Sequence, residues 1–108
     1  MAINSKKKGA RGEREFSRLC RENGYDCRRT AQYCGNTGDA ADVVGLPGIH
    51  VEVKRVERLD LAGAMGQSAH DAQPGEIPIV AHRRNNAQWM VTMRATDWFD
   101  FLRAWEYR

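Results

Sequence analysis

Beyond residue 8 the chain has a single lysine, Lys54, against thirteen arginines. It closes Glu52-Val53-Lys54, two residues from a carboxylate and inside an apolar run. Lys is a compact, titratable point charge, whereas Arg is a planar fork that stays protonated. Arg use elsewhere, with one core Lys kept beside a carboxylate, points to a catalytic lysine. Asp42 stands upstream, ahead of its own apolar pair Val43-Val44, and Glu13 lies on a predicted helix. Two carboxylates a few ångströms apart repel, and their pKa values rise unless a cation sits between them. Mg²⁺ or Mn²⁺ is the expected occupant, since such ions take oxygen ligands and bind through one or two carboxylates plus substrate phosphate. A bound ion polarises the phosphate, activates the attacking water and stabilises the leaving oxygen. A lysine beside it orients that water or stabilises charge on the phosphorane. Glu13, Asp42, Glu52 and Lys54 are thus the constellation of a metal-dependent nuclease, with Glu13 completing the metal shell directly or through water.

For these residues to meet, the strands must be in the right register. Side chains alternate along a strand, so His50, Glu52 and Lys54 share one face, and Ile49, Val51 and Val53 line a buried opposite face. Asp42 reaches the Glu52 face only if the hairpin connection holds five residues or a bulge; a plain four-residue loop pairs it with Val51 and points it away. Glu-x-Lys alone is weak, since this composition yields it by chance roughly 0.25 times. The competing reading is an exposed Glu52–Lys54 ion pair, which is common and worth little. His50 is expected to be solvated or hydrogen-bonded ahead of touching metal or DNA. Asp39 is an alternative to Asp42, while Tyr33 and Asn36 suit stacking on bases or turn roles.

The elements that position these groups follow from periodicity. Residues 1–10 lack it and read as a flexible basic arm, leaving 11–108 as one domain. A helix is predicted from Arg11 to Asn23, with Phe16, Leu19 and Cys20 on one stripe, Glu13 at its edge and the other charges solvated. Tyr25 to Thr30 alternates as a short strand. Gln32 to Ala40 is a Gly-rich loop. Asp42 to Val44 and Ile49 to Val53 form strands joined through Gly45-Leu46-Pro47-Gly48. Leu61 to Ala72 is a helix of small residues implying close packing, ended by Pro74-Gly75. Ile77 to His82 and Gln88 to Met93 are strands about an Asn85-Asn86 turn. Thr96 is expected to cap a last helix whose Trp98, Phe101, Leu102 and Trp105 read as core or as a dimer surface. The order α-β-β-β-α-β-β-α predicts an α/β domain with a mixed sheet flanked by helices.

Net charge is +3, which favours a polyanionic partner. Lys6, Lys7, Lys8 and Arg11, the pairs Arg28-Arg29 and Arg83-Arg84, and the C-terminal arginines are candidate phosphate contacts. No apolar stretch is long enough for a membrane span, and the N-terminus has no secretory h-region, so cytoplasmic residence is expected. Cys20, Cys27 and Cys34 match no zinc spacing and are expected to be structural thiols. His70 and His82 have no partner at ligand spacing.

Four stretches carry a family resemblance: Lys8-Gly9-Ala10-Arg11-Gly12-Glu13-Arg14-Glu15-Phe16, Gly24-Tyr25 with Arg28-Arg29, Gly38-Asp39-Ala40-Ala41-Asp42-Val43-Val44, and Val51-Glu52-Val53-Lys54. Through them the chain resembles the PD-(D/E)XK nuclease superfamily and, within it, the small archaeal-type Holliday junction resolvases. Ala41 replaces the proline of the family's name, and Asp71 stands four positions after Gln67, where some subfamilies carry tyrosine. The resemblance implies a restriction-endonuclease-like core. It further implies Asp42, Glu52 and the Val53 backbone carbonyl as ligands of Mg²⁺ or Mn²⁺, a catalytic Lys54, an assisting Glu13 and a supporting Gln67. The expected activity is cleavage of branched DNA, foremost four-way junctions, by a homodimer, because a junction needs two cuts related by two-fold symmetry. The alternatives are a nuclease of flaps, nicks or ends, and a non-catalytic DNA-binding protein. Small size and Arg-heavy composition suit a phage or GC-rich bacterial source.

Overall fold

The computed structural model describes residues 5–30 and 41–108, with residues 5–8 as backbone alone. Helix α1 (Ser5–Glu22) presses Phe16 and Cys20 inward at helical spacing. It starts at Ser5 rather than Arg11, so residues 5–10, expected as an arm, continue the helix. Gly24 builds its end: with φ at 93°, its N–H donates to the Arg21 carbonyl at 3.0 Å while that of Tyr25 donates to Cys20 at 3.1 Å. Those paired bonds satisfy carbonyls that a helix end leaves orphaned.

The remaining elements are β1 (Arg28–Arg29), β2 (Val43–Val44), β3 (Ile49–Arg55), α2 (Leu61–Asp71), β4 (Ile77–Arg83), β5 (Met90–Met93) and α3 (Ala95–Glu106). This is the expected order. The sheet runs β1-β2-β3-β4-β5, with β3 and β4 parallel and every other pair antiparallel. The crossover between the parallel strands is α2, capped by Asp60, whose Oδ1 accepts from the Gly63 N–H at 3.0 Å.

Helices cover both faces of the central strands. α1 packs on the side of Val43, Val51, Val53, Ile79 and Ala81, which form the main core with Phe16, Cys20 and Cys27. α2 takes the other side, where Ser68 is fully buried and its Oγ donates to the Ile79 carbonyl at 2.9 Å. Small residues on α2 permit that approach. The expectation of one buried face on β3 is therefore corrected: His50 and Glu52 are buried too, only 2% and 8% exposed.

Other differences lie at the chain's ends. β1 has two residues, because Tyr25 and Asp26 stay exposed ahead of it. α3 is capped at Arg94 rather than Thr96, without a side-chain bond. Trp98, Phe101 and Trp105 are not core: each is roughly half exposed, at 50%, 45% and 60%. Cys20 and Cys27 are free buried thiols as expected. Cys34, Tyr33, Asn36 and Asp39 lie outside the described residues. No helix among the described residues is long and apolar enough to cross a membrane.

Candidate active site

The hairpin between β2 and β3 resolves the register in favour of Asp42. Val43 pairs with Val51, and the Asp42 N–H also donates to the Val51 carbonyl, at 2.9 Å. Two residues thus face one, the pattern of a β-bulge, which re-aims a side chain. Freed from the ladder, the Asp42 carboxylate takes over a ladder position itself, its Oδ2 accepting from the Val53 N–H at 2.8 Å. The carboxyl groups of Asp42 and Glu52 lie close enough to shift each other's titration.

Burial and mutual repulsion shape their titration. Glu52 is pushed up to about 8, first by burial and then by the Asp42 charge, against the pull of Lys54. Asp42 is also raised by burial, opposed by its Val53 hydrogen bond and by Lys54. At neutral pH the pair holds a proton where a divalent cation would relieve both charges. Among the described residues Glu52 Oε2 is buried without a hydrogen-bond partner, so an oxygen is left over for a ligand. The residues fit a divalent metal ion.

Glu13 borders this pair from α1. It is buried, its Oε1 accepts from Arg29 Nε at 3.1 Å, and the Asp42 charge reaches it. Burial raises its pKa while Arg29 holds it down. Lys54 lines an open cleft of about 450 Å³ with Gln67, Leu59 and Asp60. Gln67 is exposed there, its Nε2 donating to Asp71 Oδ2 at 2.7 Å. A neighbouring hollow of about 410 Å³ shares Val56 and Leu59 and is lined by Arg83 and Arg84.

The expected phosphate-binding residues fall into three groups. Arg28 and Arg84 are exposed. Arg29 is held by Glu13, and Arg11 and Arg83 meet Glu15 at 3.5 and 3.2 Å. The side chains of Lys6, Lys7 and Lys8 lie outside the described residues. Glu15, expected to be solvated, instead also takes Arg55 at 3.1 Å, tying α1 to the ends of β3 and β4. Arg11 stands four residues from Glu15 on the same helix, whereas only tertiary pairing brings Arg55 and Arg83 to it.

Two further residues border the site: His50, expected on the Glu52 face, and Asp71, not expected there. His50 is not solvated; its Nε2 faces Glu52 Oε2 at 3.9 Å and its Nδ1 faces Glu76 Oε1 at 3.8 Å. Asp71, at the end of α2, joins His50 and Glu52 in a group whose ligand atoms lie within 4.8 Å of one another. The available signal for Asp71 was its place four residues after Gln67, one helical turn along the same face.

The fold is an α/β core with a mixed five-stranded sheet flanked by helices, similar to the nuclease core of a Holliday junction resolvase. The structure is similar to that of Hjc, a Holliday junction resolvase from the archaeal hyperthermophile Archaeoglobus fulgidus, with a TM-score of 0.61 and 25% identity over 80% of this chain and 72% of that one. No family model and no curated protein sequence matches the chain.

Proposed function

We propose that this protein is a divalent-metal-dependent endonuclease of branched DNA, with a four-way junction as its preferred substrate. The observation that carries this reading is the Asp42 carboxylate, aimed by the Val53 N–H and set beside buried Glu52 and Lys54 on a core similar to that of a resolvase. Asp42, Glu52 and the Val53 backbone carbonyl would hold Mg²⁺ or Mn²⁺, with Glu13 assisting directly or through water. Bound there, the ion supplies Lewis-acid activation of the phosphate and of the attacking water. Asp42 is oriented for its part by the Val53 N–H, and Arg29 keeps Glu13 pointed at the site. Lys54 extends into the cleft to orient water or neutralise the pentacoordinate phosphate, and Gln67 lines the same cleft as support.

Arg84 and Arg28 offer exposed guanidinium groups, and Arg11, Arg29 and Arg83 keep donors beyond those used by Glu13 and Glu15. With Lys6, Lys7 and Lys8 on the first helix they form the proposed DNA-phosphate contacts. The exposed aromatic side of α3 supports a homodimer, which two symmetric cuts require.

The test incubates a labelled four-way junction and a matched linear duplex with Mg²⁺, Mn²⁺ or EDTA, alongside Glu52→Ala. Paired symmetric nicks on the junction alone, lost in EDTA and in Glu52→Ala, are expected. Equal cutting of both substrates would mean a general nuclease. Tight binding without cutting would leave a DNA-binding protein.

A further inference from the structure

Beside Glu52 lie two potential ligands that the nuclease reading does not use, His50 and Asp71. His50 is 2% exposed, yet among the described residues its Nε2 has no hydrogen-bond partner; neither has Glu52 Oε2, which it faces at 3.9 Å. Two unsatisfied buried polar atoms aimed at each other are costly to leave so, on the order of 1–3 kcal/mol each. A cation between them would satisfy both. The Asp71 carboxylate completes the group, and its two oxygens are already steered, Oδ2 by Gln67 Nε2 at 2.7 Å and Oδ1 by His70 Nδ1 at 3.1 Å. Glu76, 3.8 Å from His50 Nδ1, favours the tautomer with the proton on Nδ1. The bare Nε2 lone pair then points at Glu52, as in the carboxylate–histidine–metal arrangements of ligating imidazoles.

We infer that His50 Nε2, Glu52 Oε2 and Asp71 form a second cation site, selective for a divalent first-row transition ion over Mg²⁺. One imidazole with two carboxylates is a donor set for Mn²⁺ or Zn²⁺, whereas Mg²⁺ prefers oxygen alone and dehydrates reluctantly. Bonds of about 2.0–2.2 Å place donors at most about 4.4 Å apart across an ion. The group, within 4.8 Å, thus contracts by a few tenths of an ångström on loading, and the half-buried Asp71 at the end of α2 is free to supply that. Glu52 is common to this site and to the one shared with Asp42, so it would bridge two ions. The inference uses that residue but does not rest on DNA cleavage.

The test uses tag-free protein and Mn²⁺ alone, without DNA. Binding is followed by electron paramagnetic resonance and ligand nitrogen by electron spin echo modulation. Wild type is expected to bind Mn²⁺ with imidazole-nitrogen coupling that survives excess Mg²⁺. Asp42→Asn should keep that signal, because it leaves this donor set whole, and so should His70→Gln. His50→Gln should lose the nitrogen coupling, and Asp71→Asn should keep it but bind at least about tenfold more weakly, the scale of loss seen when ligand-supporting groups are removed. Should His50→Gln fail to fold, Asp71→Asn at the rim decides alone. Absence of bound Mn²⁺, absence of nitrogen coupling, its displacement by Mg²⁺, its loss in His70→Gln or wild-type affinity in Asp71→Asn would each overturn the site. Nitrogen-coupled Mn²⁺ in a protein that never cuts DNA would sink the nuclease reading and leave this one standing.

Discussion

Lys54 and Glu52 are linked by charge, and each yields a prediction. Lys54 opposes the rise of both carboxyls and lines the cleft, the position the proposed catalytic role requires. Lys54→Ala should lower the single-turnover cleavage rate by about 10²–10³, the loss for one preorganised electrostatic group, with junction affinity nearly unchanged. Unaltered turnover would remove Lys54 from the mechanism. Glu52 makes the metal-free protein sensitive to pH. Its ordinary value is 4.5, and in the fold it rises to about 8. Between those values the folded state binds the extra proton, so stability falls as pH rises through that window. Glu52→Gln, which stays neutral, should therefore melt above wild type at pH near 8 in EDTA, by up to a few kcal/mol, and the gap should close toward pH near 4.5. Mg²⁺ should raise the wild-type melting temperature at the upper pH and leave Glu52→Gln little changed. A gap that widens in acid would contradict the assignment.

At the scale of elements, α1 must lie close to β3 for Glu13 to reach the site. Gly12 permits this: a Cβ there would stand 2.8 Å from the Arg55 Cβ, and the branch point of a side chain cannot swing aside. Gly12→Ala should cost about 1–3 kcal/mol in urea unfolding, the range for overpacking, because helix and strand have to separate. Stability at or above wild type would mean α1 has slack. These close approaches mark the boundary of what could be read in the sequence. Periodicity located all eight elements and their order, and Asn23-Gly24 and Pro74-Gly75 marked real helix ends. The bulge that turns Asp42 toward Glu52 was legible only as one of two alternatives, since the same loop sequence fits either register. The burial of His50 was illegible, because α2 covers that face through tertiary packing. Asp71 escaped notice for the same reason, as nothing local places the end of α2 over β3. The cap of α3 was misread at Thr96: Arg94 begins the helix, and its Nε reaches Asp97 Oδ2 at 2.9 Å.

Across the whole molecule, α3 is the element whose placement makes least sense for a lone chain. It buries only Asp97, and Trp98, Phe101, Leu102 and Trp105 follow the spacing of one helical stripe with the three aromatics roughly half exposed. A helix of 12 residues is at the margin of what holds together without packing. A two-fold partner that covers this stripe would stabilise it and set two active sites on one junction. Replacing both Trp98 and Trp105 with Asp tests this without touching the core, since neither side chain is buried within the chain. Sedimentation should show a dimer for wild type and a monomer for the double variant, with the helical signal of the core retained. The variant should still nick the junction, but its two cuts should become independent, leaving singly nicked intermediates that wild type does not accumulate. A wild-type monomer that makes paired cuts would place the two-fold interface elsewhere or assemble it only on DNA. A double variant that remains dimeric would show that α3 is not the surface that joins the subunits.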